Sequence, residues 1–376
     1  MYYINIVLLI VYAAVLLWAH PTKGKRKLFC ALAAGNWILL SGLRHYTIGT
    51  DTYAYYYSFY NSKYESWSTL FKNFRNTIFK WNMFDEGIMR TDSESSIFKL
   101  LTGENALAVK DPGYAIFRKA FYSVCPNYTA YLIFIAIIFM VPLAILIYKH
   151  SREPLMSFLI YSCLFYSFFA ITGHRQTIAT GVALLAYVLF AERKKFLPFL
   201  LMILIVYPIH KSVLGFIPVY FLQDIKLNRK RMIAILIAFP IVFLLRGPIT
   251  GILSAISGYD GYAEQVEGAG SYVFTIVYIA IMIVSLWKGE QAIEFNPQAG
   301  FSLMAVSVAF LLTPTTFVDP NLMRLVQYYS VFLLLYIPDL VMAFKNHEMQ
   351  FAYVLALAVL IGLFVKNNPH YMFFWQ

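Results

Sequence analysis

Residues Ile171 to Ala179 read ITGHRQTIA, and they set His174, Arg175 and Gln176 between two apolar runs near 154–171 and 175–190. An arginine at the centre of a bilayer costs roughly 2.5–3.5 kcal/mol on insertion scales. Arg175 therefore belongs at a membrane surface or in a wet cavity between helices. Outward from this junction, the same alternation of apolar run and short polar connection extends along the chain.

The 376 residues are 60% hydrophobic and 13% charged, with a mean hydropathy of +0.64. A soluble domain carries about 25% charged residues. Apolar runs of about 17–25 residues recur, each able to span a ~30 Å hydrocarbon core. Only helices and closed barrels satisfy the backbone in lipid, and continuous rather than alternating apolar runs select helices. The expected fold is an all-α polytopic membrane protein, a single integral-membrane domain over residues 1–376. About twelve segments are expected, near 2–19, 28–43, 127–148, 154–171, 175–190, 196–209, 212–223, 232–246, 272–287, 299–313, 325–344 and 350–365. The first is followed by His20, Lys23, Lys25, Arg26 and Lys27 without a basic segment before it, the pattern of a retained helix rather than a cleaved signal peptide. Cys30, Cys125 and Cys163 show no CxxC spacing and read as packing residues, so neither a metal site nor a disulfide framework is expected.

The formal charge of +11 reflects topology rather than a nucleic-acid partner. One set of connections holds Lys23, Lys25, Arg26, Lys27, Lys149, Arg152, Arg193, Lys194, Lys195, Lys226, Arg229, Lys230, Arg231, Lys288 and Lys345, fifteen basic residues in short loops. The positive-inside rule makes that side cytoplasmic. The short connections on the other side hold one basic residue each: Arg175, Lys211, Arg246, Arg324 and Lys366. Snorkelling at a helix end accounts for Arg246 and Lys366. The long outward loop, 44–125, has two amphipathic stretches, Phe71–Phe84 and Tyr114–Tyr122, expected to lie on the membrane surface. Asp85 to Lys110 between them is polar.

The unusual polar residues then converge on the outward face. Arg44 and Asp51 belong to RHYTIGTD, and Tyr53, Tyr55, Tyr56 and Tyr57 follow. Asp111 and Tyr114 belong to DPGY, His174, Arg175 and Gln176 to the junction, and His210, Lys211 and Ser212 to a corner after Pro208. Asp319 and Arg324 precede the eleventh segment. Each piece has an ordinary structural reading as a turn, a corner histidine or an interfacial aromatic belt. Together they suit an amphiphilic anion, because guanidinium forks grip phosphate oxygens bidentately. A lipid diphosphate would place its head at this depth and its tail in the bilayer.

RHYTIGTD with its tyrosines, DPGY, RQTIA and HKS together resemble the EpsG-like polysaccharide polymerases of the Wzy class, from about Arg44 through Ser212. The segment after about Ile225 carries no matching motif, so Arg324 rests on topology. The resemblance implies a multi-pass protein of the bacterial inner membrane, similar to GT-C-type lipid-donor glycosyltransferases. Such enzymes join repeat units carried on undecaprenyl diphosphate to a growing glycan, on the outward face, supplied by a flippase and working beside a chain-length regulator. No cofactor is expected. There is no DxD pair for a divalent metal, Asp92-Ser93-Glu94 being only an approximation.

The expected chemistry is displacement at the anomeric carbon, with arginine stabilising the departing diphosphate. Arg44 and Arg175 are the catalytic cations. Asp51 and His210 are the candidate bases, Asp51 slightly ahead. Asp111, Tyr114, Gln176, His174, Lys211, Arg324 and Tyr53 are expected to bind substrate. A ligase shares this donor chemistry. A flippase needs charges lining the midplane and inner half of several helices, where only Asp339 is a candidate. A membrane acyltransferase needs a paired motif the sequence lacks.

Overall fold

The computed structural model describes residues 1–18, 21–79, 111–257, 271–367 and 370–376. Among these the ordered elements are helices, joined by one isolated antiparallel bridge between Arg44 and Phe373. Helix α1 runs Tyr2–Leu16 and α2 Lys23–Gly42; α3, Thr52–Asn61, and α4, Trp67–Phe79, follow. Then come α5, Pro112–Val124, α6, Tyr128–His150, and α7, Pro154–Ile160. The last continues as two π-helical stretches, Tyr161–Phe165 and Ser167–Ile171. Helix α8 is His174–Leu189 and α9 Phe196–Val206; a 3₁₀ segment, Lys211–Phe216, leads into the short α10, Val219–Leu222. The remaining helices are α11, Arg229–Leu244, α12, Arg246–Ser257, α13, Ser271–Phe295, and α14, Gln298–Leu312. After 3₁₀ turns at Thr313–Phe317 and Pro320–Leu322 come α15, Met323–Ser330, α16, Leu333–Met342, and α17, Asn346–Lys366.

Each of the twelve apolar segments contains helix, as a chain that must satisfy its own backbone in lipid requires. Polar caps start several of them. Thr22 accepts from Lys25 N at 3.2 Å, Asn127 from Ala130 N at 3.0 Å and Asn228 from Arg231 N at 3.0 Å. Among the described residues, four helices are long and apolar enough to cross a membrane: Tyr128–His150, Tyr272–Phe295, Gln298–Phe317 and His347–Lys366. Two bent pairs raise the number to six, Arg229–Leu244 with Arg246–Leu253 at 84° and Pro320–Ser330 with Leu333–Met342 at 54°. Tyr2–Leu16, Pro154–Phe165, Phe196–Val206 and Lys211–Leu222 are apolar but shorter. The protein is a polytopic membrane protein.

Helices α2, α6, α8 and the π-helical stretch form the centre. Trp37 of α2 is buried there, donating to Ser162 Oγ at 3.2 Å with Tyr161 edge-on at 5.2 Å. The peripheral helices α1, α11 and α17 instead expose aliphatic side chains such as Val15, Ile237 and Val354, as lipid-facing surfaces do. At one end Glu192 holds Lys149 at 2.7 Å and His150 at 2.6 Å, tying α6 to the end of α8. Asp339 is buried and accepts from Asn296 Nδ2 at 2.8 Å.

The other end carries the junction residues. There the segment 370–376 is fastened to the turn after α2: His45 N donates to Met372 O at 2.8 Å and Phe374 N to Leu43 O at 2.9 Å. The amphipathic stretch expected at Phe71–Phe84 is helical as α4 through Phe79, and 80–84 lie outside the described residues. So do Asp85 to Lys110, including Asp92-Ser93-Glu94. The second stretch lies within α5, where Arg118 is buried and clamps α3 by bonding Ser58, Ser62 and Glu65.

Candidate functional site

Two clusters meet at the start of α8. The first forms around Arg44, just past the end of α2 and only 2% exposed. Its Nη1 donates to the Ser41 carbonyl and, at 3.2 Å, to Ser41 Oγ. Its Nη2 reaches the Ile171 carbonyl at 2.9 Å and His174 Nε2 at 3.2 Å. A guanidinium only donates, so Nε2 of His174 is the acceptor and its proton sits on Nδ1. That nitrogen faces Tyr114 Oη at 3.5 Å. Tyr55 stacks on the imidazole, 4.2 Å between centroids and 18° between planes. The loop before α3 closes on Ile171 because residue 49 is glycine. Its φ of +110° lies in the region that favours glycine, and a Cβ there would run into Ile171.

The second cluster forms around Asp111, 4% exposed at the start of α5. Its Oδ2 accepts from Arg175 Nη1 at 2.5 Å and lies 3.8 Å from His210 Nδ1. The corner that brings His210 here is locked to α5 by Gly113 N, which donates to Pro208 O at 3.0 Å. A Cβ on Gly113 would sit 2.7–2.9 Å from Pro208, most of it unyielding backbone. His210 Nε2 lies 3.1 Å from Gln176 Oε1, and Gln176 Nε2 donates to the Arg324 carbonyl at 2.7 Å. That second bond fixes the amide orientation. His210 must then donate from Nε2, which leaves its Nδ1 lone pair on the Asp111 side. Burial holds His210 below the usual histidine range, against an opposing pull from Asp111. The site thus pairs a cation, Arg175, with a neutral imidazole across one carboxylate.

Of the residues singled out in the sequence, Arg44, Asp111, Tyr114, His174, Arg175, Gln176 and His210 come together, with the Arg324 main chain. Arg324, on α15, and Lys211, on the adjoining 3₁₀ segment, are half-buried. Asp51 does not join the cluster through a hydrogen bond or ion pair. It is exposed, in a left-handed conformation at the start of α3 (φ 64°). Tyr53 is also exposed, donating to Tyr57 Oη at 2.8 Å. Asp319 is buried, and its Oδ1 accepts from Asn321 N at 2.9 Å and Asn321 Nδ2 at 3.0 Å, a local cap. Sequence reasoning missed the inward role of Tyr55 and the clamp at Arg118. The helical spacing of Thr52, Tyr55, Tyr56 and Phe59 was the available signal for the first.

The chain belongs to the EpsG family, whose model matches residues 27–374, a family associated with exopolysaccharide biosynthesis. The match runs well past Ser212, where recognisable motifs stop. No curated protein and no solved structure matches the chain.

Proposed function

We propose that this EpsG-family chain is a Wzy-type polysaccharide polymerase. It joins undecaprenyl-diphosphate-linked oligosaccharide repeat units on the outer face of the bacterial inner membrane. In this reading the twelve helical segments thread the bilayer in a GT-C-like arrangement, with the junction end outward. The observation that carries the reading is the pairing of Arg175 and His210 across Asp111.

The reaction replaces the bond between the anomeric carbon and the diphosphate oxygen by one to an acceptor hydroxyl. Arg175 exchanges Asp111 for diphosphate oxygens, and Arg324 and Lys211 add charge at the same edge. The leaving group carries the electron pair away and is stabilised there. The acceptor's proton passes to Nδ1 of His210, and Asp111 stabilises the imidazolium that forms. Asp51 is the second candidate base, from the exposed start of α3. Gln176 fixes the His210 tautomer. Arg44 is a positioning residue here, because Ser41, Ile171 and His174 occupy its guanidinium. Tyr114 and His174 line the sugar side.

The test is turnover by purified protein on a defined undecaprenyl-diphosphate repeat unit, in EDTA, with Arg175→Ala beside wild type. A ladder of lengthening glycans, reduced about 10²–10³-fold in the folded variant, supports the reading. Transfer of one glycan to a different added acceptor identifies a ligase. A bound but unconsumed donor identifies a flippase.

A further inference from the structure

We propose that the exposed face of α3 is a carbohydrate-binding track along which the glycan lies beside the Arg175–Asp111 cluster. This rests on the polymerase reading for the identity of the glycan, but the track itself is built from side chains outside that cluster.

Helix α3 has two aromatic faces with different partners. On one, Tyr55 covers His174, Phe59 stacks on Tyr131 at 4.9 Å, and Tyr56 meets Tyr128 edge-on at 5.1 Å. On the other, Tyr53, Tyr57 and Tyr60 are 55%, 48% and 38% exposed, and Tyr64, just beyond the helix, is 81% exposed. Spacings of four and three residues put Tyr53, Tyr57 and Tyr60 in one stripe, and Tyr64 follows in the turn after the helix. Tyr46 extends it toward the turn after Arg44, with its centroid 6.0 Å from Tyr53 and 4.4 Å from Tyr56. At 1.5 Å per residue, Tyr53 to Tyr60 covers roughly 10 Å along the helix, the length of about two linked sugar rings, and Tyr64 lies beyond that end.

The chemistry of the stripe favours sugar over lipid. A pyranose presents a face of C–H bonds and a rim of hydroxyls. The electron-rich face of a phenol accepts the first, and its O–H meets the second. The surfaces this chain turns to lipid look different, since α1, α11 and α17 expose mostly aliphatic residues. The exposed phenols, two of them bonded hydroxyl to hydroxyl, give a polar rim suited to sugar hydroxyls rather than to acyl chains, and the nitroxide measurement below separates the track from an interfacial belt. The start of the stripe shares its helix with Tyr55. A glycan on the track therefore has its reacting end at the cluster, and holding it there favours repeated addition over release.

The experiment uses the full chain in nanodiscs and short soluble oligosaccharides, with binding read by saturation-transfer NMR. Wild type and Arg175→Ala should bind alike. The pair Tyr53→Ala with Tyr57→Ala should weaken binding by about tenfold or more, while the corresponding Phe pair keeps most of it. Polymers made by the Ala pair should be shorter at an unchanged melting temperature. If that pair does not fold, Tyr64→Ala, outside the helix, carries the same comparison.

Unchanged binding or unchanged polymer length in the alanine variants overturns the track, and so does failure of wild type to bind any oligosaccharide. A nitroxide at Tyr53→Cys that meets dissolved oxygen more readily than a water-soluble nickel chelate overturns it too, by marking lipid contact. Glycan binding that depends on the tyrosines, in a protein that never extends a lipid-linked donor, keeps the track and removes the polymerase reading. Polymerisation of normal length in the Ala pair does the reverse.

Discussion

Arg175 and Asp111, 64 positions apart in the chain, meet at 2.5 Å, with the carboxylate buried and the guanidinium partly open. The open side of the arginine is where an anion can enter. Removing one member of a buried pair strands the other and costs about 3–5 kcal/mol. Asp111→Asn and Arg175→Ala should each lower unfolding stability toward that range, and the double variant should lose less than their sum. A double-mutant cycle by denaturant unfolding in detergent checks this. Strict additivity would show that the two do not act on each other.

The pH dependence follows from His210. Its proton affinity lies below the ordinary value of 6.5, chiefly through burial, so the imidazole is neutral at pH 7 and ready to accept a proton. Turnover should be level near neutrality and fall as pH drops through a value below 6.5. Stability carries the same sign. The unfolded chain takes up the proton at about pH 6.5 before the folded one does, so the folded state weakens as pH falls below that value. A pH–rate profile locates the limb, and His210→Gln should remove it.

Gln176 sets which nitrogen of His210 carries the proton. Gln176→Glu replaces its amide oxygen by a carboxylate beside the ring and should move the acid limb upward, by on the order of one unit. The bond to the Arg324 carbonyl would be lost at the same time, so a fall in turnover should accompany the shift. An unmoved limb would mean that Gln176 does not govern the imidazole.

Gly113→Ala tests the lock between α5 and the Pro208 corner. The new methyl meets Pro208 backbone rather than a side chain that can turn aside. The loss should be about 1–3 kcal/mol, as for overpacking elsewhere. Because the same contact carries Asp111 toward His210, turnover should fall further than thermal melting alone explains.

Tyr55→Leu should cost about 0.5–1.5 kcal/mol beyond lost area by removing the stack on His174, and Tyr55→Phe should restore it. Melting temperatures of the two variants give the comparison.

The helices were legible because long apolar runs admit few other structures, and each of the twelve expected segments contains one. What was not legible is how far each run stays straight. The turn at Leu245 is followed by Gly247-Pro248, a local signal, but the break at Val331–Phe332 has neither residue type and depends on packing. The members of the site could be named because charge is rare in this chain. Their pairing could not, since nothing local says that Arg175 takes Asp111 while Arg44 turns inward to main-chain carbonyls. Asp319 shows the opposite case. Its Pro and Asn neighbours form a local cap, a motif readable in DPN, whereas position alone groups it with the outward set. Tyr53 and Tyr55 sit two residues apart and face opposite ways, a difference that only the helix phase resolves.

The bridge from Arg44 to Phe373 also orders events in time. Synthesis at about 5–20 residues per second delivers Phe373 tens of seconds after Arg44. Through that interval Leu43 and His45, in the turn after α2, wait without the main-chain partners that Phe374 and Met372 later supply. The neighbourhood of Arg44 is therefore completed only after the last long helix has been made. A nascent chain with most of its helices inserted still lacks the strand-like clasp that closes this end of the site.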